Sequence, residues 1–79
     1  MQSIYLVNDN YYGHKCFCLK TELDDTINAY EARMKTNYMN ENKLTPKTAD
    51  VVDLNCFCSD YLEIDKFNSE HELIAALND

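Results

Sequence analysis

Residues 51–65 read Val-Val-Asp-Leu-Asn-Cys-Phe-Cys-Ser-Asp-Tyr-Leu-Glu-Ile-Asp, and the fold turns on how this stretch is read. Val51, Val52, Leu54, Cys56 and Phe57 form a β-branched and apolar run that predicts a strand over 51–57. Ser59-Asp60 then supplies a turn, and 61–65 alternates at period two, the pattern of a half-buried strand. Read this way, the stretch is a β-hairpin.

A first hairpin is predicted near the start. Residues 3–7, Ser-Ile-Tyr-Leu-Val, lead into the turn cluster Asn8-Asp9-Asn10, and a second strand-like run covers 12–19. Gly13 is read as a bulge or a point of close approach. Between the hairpins the period changes. Leu23, Ile27, Tyr30, Met34 and Tyr38 recur at helical spacing, with Asp24 and Asp25 in the first turn where the helix dipole favours negative charge. This helix fades near Asn40, and Thr45-Pro46 is placed to cap a short helical turn. After the second hairpin, Ser69-Glu70-His71-Glu72 has the form of a capping box, opening a last helix with Leu73, Ile74 and Leu77 on its apolar face. The predicted order is ββαββα over residues 1–79. It implies a single α+β domain with one antiparallel sheet and two helices on one face.

Composition narrows the functional classes. At 79 residues, 46% hydrophobic and 27% charged, the chain can hold one small core but no cofactor fold or two-domain cleft. With one Gly and one Pro, its turns are left to Asn and Asp. The first ten residues show neither a basic leader nor an apolar run of signal length, so a soluble, cytoplasmic protein is expected, with no membrane partner. Cys-Phe-Cys occurs at 16–18 and 56–58 and Glu-Leu at 22–23 and 72–73, but the two offsets differ, so an internal duplication has only weak support.

Two Cys-x-Cys pairs raise the alternative of a small structural or regulatory domain stabilised by zinc on Cys16, Cys18, Cys56 and Cys58. Spacing weighs against it. On a strand, residues two apart point to one face with Cα atoms about 6.5–7 Å apart, awkward for sulfurs that must each reach about 2.3 Å from one ion. The favoured reading places all four cysteines on the helix-facing side of neighbouring strands as small core residues, with Phe17 and Phe57 on the opposite, exposed face. His14 shares the parity of Cys16 and Cys18, but no orienting group or oxyanion site accompanies it, and His71 is assigned to the surface. No cofactor and no catalytic residue is predicted.

The net charge of -7 is unevenly spread. Residues 1–20 carry Lys15 and Lys20 against Asp9, and residues 21–47 nearly balance. Residues 48–79 carry eight acids, including Asp50, Asp53, Asp60, Glu63 and Asp65, against Lys66 alone. Such a surface excludes direct nucleic-acid binding and steers association toward a basic protein surface. The acids that would supply orientation and on-rate are these five, with Phe57 and Tyr61 as aromatic anchors. A free sheet edge leaves monomer and homodimer both open.

In size, single-domain α+β architecture, Asn/Tyr/Asp-rich makeup and the acidic block at 50–72, the chain resembles the small acidic inhibitors carried by phages and mobile elements, above all anti-CRISPR proteins. That group shares no common motif, so no residue role is carried over from it. The resemblance implies a non-enzymatic inhibitor in the host cell cytoplasm that blocks a nucleic-acid-handling complex, by mimicking phosphates with carboxylates. An antitoxin-like protein masking a basic partner shares the same surface argument.

Overall fold

The structure, a computed structural model, describes residues 3–78. The chain runs β1 (Ile4–Asp9), β2 (His14–Leu19), α1 (Lys20–Glu41), α2 (Val51–Tyr61), β3 (Leu62–Phe67) and α3 (Glu70–Leu77). The three strands form one antiparallel sheet in the order β2-β1-β3. The fold is therefore α+β as predicted, but the order is ββααβα, and among the described residues only one hairpin exists.

The correction lies at 51–61. Val51 and Val52, which carried the strand reading, are 68% and 66% exposed, while Leu54, Phe57 and Cys58 are buried. Leu54, Phe57, Cys58 and Tyr61 follow one another at three, one and three residues, the stripe of a helix and not the alternation of a strand. Asp50 starts the helix, its carboxylate accepting the Val52 N–H at 2.8 Å, and Asp53 lies in the first turn. Ser59 and Asp60 fall within the last turn of α2 and form no hairpin turn. With no strand at 51–57, β3 pairs with β1, matching Val7 with Ile64 and Asp9 with Leu62.

The first hairpin forms as expected. Its turn is residues 10–13, where the Asp9 carboxylate accepts the N–H groups of Tyr11 and Tyr12 at 2.9 and 3.1 Å. Gly13 has φ +81° with open space where a Cβ would stand, so it is required for its positive φ and not for close approach. Helix α1 follows β2 without a loop. Leu19 has no side-chain oxygen to cap it, so only half a capping box forms, with the Glu22 carboxylate accepting the Leu19 N–H at 3.3 Å. At its other end, Lys43 takes φ +55°, and the N–H groups of Lys43 and Leu44 reach back to the carbonyls of Asn40 and Met39. This is a Schellman motif with lysine where glycine is usual. Thr45-Pro46-Lys47-Thr48 is a single hydrogen-bonded turn preceding α2.

Two small clusters form the core. Val7, Cys18 and Tyr30 pack with Tyr5, Cys16, Leu23, Ile27 and Leu62. Met34, Phe57 and Cys58 pack with Tyr12, Tyr38 and Leu62, so Leu62 joins the two. Helices α1 and α2 thus occupy one face of the sheet. Helix α3 buries no residue and contacts β3. Its start is capped by Ser69, whose hydroxyl accepts the Glu72 N–H, while the Glu72 carboxylate accepts the N–H of Asn68, one residue before the position a capping box uses. The radius of gyration is 14.6 Å and the extents are 46 × 25 × 15 Å. About 12 Å is usual for a compact chain of this length. The 22-residue α1, about 33 Å long at 1.5 Å per residue, sets the long axis.

Candidate protein-binding surface

Five aromatic rings gather where the β1–β2 turn meets the end of α2. Phe57 is the hub, with ring centroids 4.7 Å from Tyr38, 5.0 Å from Tyr11, 5.3 Å from Tyr61 and 6.3 Å from Tyr12. Tyr11 also stacks edge-on against Tyr61 at 5.0 Å and Tyr12 at 4.8 Å. The turn is locked to the helix end by the Asn10 N–H, which donates to the Tyr61 carbonyl at 2.9 Å. Tyr11 and Tyr61 remain 48% and 38% exposed on this rigid base. Large aromatic rings packed against one another are what the centre of a protein interface is built from.

Beneath the turn, Asp9 is buried. One carboxylate oxygen holds the turn, and the other has no hydrogen-bond partner among the described residues. Tyr12 donates its phenol to Glu41 at 3.2 Å, and its pKa is pushed up to about 12, first by burial and then by the Glu41 charge.

The structure divides the predicted acids between two faces. On α2, the seven-residue spacing sets Asp53 and Asp60 within about 20° of each other around the axis and about 10 Å apart along it, on one flank of the buried stripe. Asp50 caps the same helix. Glu63 and Asp65 lie opposite Asn8 and Leu6, one place out of phase with Leu62 and buried Val7, and so point from the sheet face away from α1. Asp79, one of the eight acids counted in 48–79, lies outside the described residues, as do Met1 and Gln2.

Phe57 is the buried support of the cluster, contrary to the expected exposed anchor. Its register in α2 turns it inward, whereas Phe17, on the outer face of β2, is exposed as expected. Tyr61 is exposed and flanked in sequence by Asp60. Tyr11 was not selected from sequence. The signal was present, since a tyrosine directly after Asn8-Asp9-Asn10 must sit at the tip of any hairpin turning there.

The cysteines do not share one set of strands. Cys16 and Cys18 lie on the helix-facing side of β2, and Cys56 and Cys58 lie on α2. Cys18 and Cys58 are buried, Cys16 is half-buried and Cys56 is exposed. Burial pushes the Cys58 thiol up, and its Sγ donates weakly to the Glu31 carbonyl at 3.9 Å. Among the described residues, no three His, Cys, Asp or Glu side chains gather as a metal site would require. Likewise, no helix there is long and apolar enough to cross a membrane.

Comparison with known proteins finds no matching family model, curated protein or solved structure.

Proposed function

We propose that this chain is a non-enzymatic binding protein of the anti-CRISPR type. It inhibits a nucleic-acid-handling complex by occupying a basic surface of it. The observation that carries this reading is the pair Tyr11 and Tyr61, half-exposed and packed on the Phe57 ring, with Asp60 next to Tyr61 in α2 and Asp53 on the same flank of that helix. Exposed tyrosine faces attract guanidinium and ammonium groups, worth about 0.5–2 kcal/mol per contact depending on desolvation. Neighbouring carboxylates add orientation and speed of encounter. Surfaces rich in Arg and Lys belong above all to proteins that hold nucleic acid, so carboxylates at these places stand in for phosphates.

The test uses three baits on host lysate: the native chain, Asp53→Asn/Asp60→Asn and Tyr11→Ala/Tyr61→Ala. Partners lost from both variants are purified and assayed for release of labelled nucleic acid on adding the native chain. Recovery of the same partners by all three baits, or partners that hold no nucleic acid, would refute the proposal.

A further inference from the structure

The sheet has a second face, and the register specifies it residue by residue. Side chains pointing away from α1 form three rows across β2, β1 and β3: Lys15–Asn8–Glu63, Phe17–Leu6–Asp65, and Leu19–Ile4–Phe67. Phe17 and Phe67 lean toward each other across β1, with centroids 6.3 Å apart. Phe17 and Leu19 remain 43% and 39% exposed, beside a shallow hollow of about 200 Å³ that Ile4, Phe17 and Leu19 help to line. One end of the face is therefore apolar. The other carries a cation on the β2 side and anions on the β3 side.

We infer that this face binds a second copy of the chain. The argument is charge complementarity under symmetry. Two sheets stacked face to face by a two-fold axis parallel to the strands place β2 of one copy over β3 of the other, row upon matching row. Lys15 then meets Glu63 of the second copy, with Asp65 diagonally beside it, and this occurs twice. In the same arrangement Phe67 of one copy comes over Leu19 of the other, and Ile4 and Leu6 meet their own equivalents. A two-fold axis running across the strands would instead set the charged row on the apolar row, placing Lys15 over Leu19 and Glu63 over Phe67. The first arrangement also sets Phe17 over Asp65 of the second copy, but it alone gives Lys15 an opposite charge and Leu19 an apolar partner.

The face is small. Three strands of six residues span about 14 × 20 Å, well below the roughly 800 Å² per partner of a standard interface. The dimer is therefore of the weak, transient class. It leaves Tyr11 and Asp60, at the turn and on the helix layer, free for another partner.

A charge exchange tests the symmetry. Sedimentation equilibrium of the full chain should show a monomer–dimer equilibrium. Lys15→Glu and Glu63→Lys, both exposed and expected to leave the far-ultraviolet spectrum unchanged, should each weaken self-association about tenfold. An equimolar mixture of the two should regain the native constant, because each then supplies the sign the other lacks. A monomeric native chain, variants that associate as the native chain does, or a mixture no tighter than its components would each overturn the inference.

Discussion

Replacing Phe57 by leucine, beside the same change at Phe17, separates the observed helix from the strand that the composition of 51–57 suggests. If both Cys-Phe-Cys segments were strands, the two phenylalanines would be equivalent. In the structure Phe57 is 8% exposed with four ring neighbours, and Phe17 is 43% exposed with Phe67 as its ring neighbour. Leucine keeps most of the apolar burial but removes the ring–ring contribution, about 0.5–1.5 kcal/mol per pair before neighbours relax. Taking roughly half of the four-pair maximum gives a loss of about 2–3 kcal/mol for Phe57→Leu, against about 0.5 kcal/mol for Phe17→Leu. A chain of this length has a total stability of about 4–12 kcal/mol, so Phe57→Leu still folds. Alanine, costing about 3–5 kcal/mol, would cancel the lower of these stabilities altogether, which makes leucine the safer probe. Urea titration by circular dichroism measures the difference directly. In thermal melts it corresponds to a fall of about 8–20 °C for Phe57→Leu and a few degrees at most for Phe17→Leu. Equal losses at the two sites would refute the register of α2.

Thiol labelling with a chromogenic disulfide gives a second check on that register: Cys56 should react rapidly, and Cys18 and Cys58 only as the protein opens, whereas a strand would set Cys56 and Cys58 on one face and make them react alike. Lys43→Gly relieves a positive φ at the end of α1 and should raise stability by about 0.5–1 kcal/mol in the same urea assay; a loss would show that Lys43 makes a contact worth more than its strain. Tyr12 and Tyr30 both have pKa values raised from 10.0 to about 12, Tyr12 by burial and then Glu41, Tyr30 by burial and then its hydrogen bond with Cys16. The folded state holds these protons more tightly than the unfolded chain does. The resulting stability is fully present below pH 10 and is lost as pH rises through 12, with Tyr12 and Tyr30 ionising late in a 295 nm titration. Ionisation of all six near pH 10 in the folded protein would contradict this.

Where local pattern and tertiary environment agreed, the sequence was legible. The spacing of Leu23, Ile27, Tyr30 and Met34 announces α1 because that helix buries one stripe against the sheet. Asn8-Asp9-Asn10 announces the hairpin because Asp9 makes the turn with its own side chain. Misreading of α2 arose from Val51 and Val52, whose β-branching dominates the composition while both side chains face solvent. The Leu54, Phe57, Cys58, Tyr61 stripe and the Asp50 cap carried the correct answer. For the site, charge was legible as a quantity per segment but not as a surface. Asp60 and Glu63 are three residues apart, yet the passage from helix to strand between them sends one to the helix layer and the other to the far side of the sheet. Tyr11 and Tyr61 come together only through the fold, fifty residues apart in the chain.

The central position of β1 also governs the order in which the molecule can be completed. Its pairing with β2 closes through a four-residue turn, but Ile4 meets Phe67 across sixty-three intervening steps of chain. Local elements, the first hairpin and α1, can form within microseconds, whereas the last strand must wait for a long loop to close. During synthesis, one edge of β1 stays unpaired until residue 67 has left the ribosome. A nascent or truncated chain ending after α2 therefore offers an open strand to any neighbour, and protection from aggregation arrives only with residues 62–67.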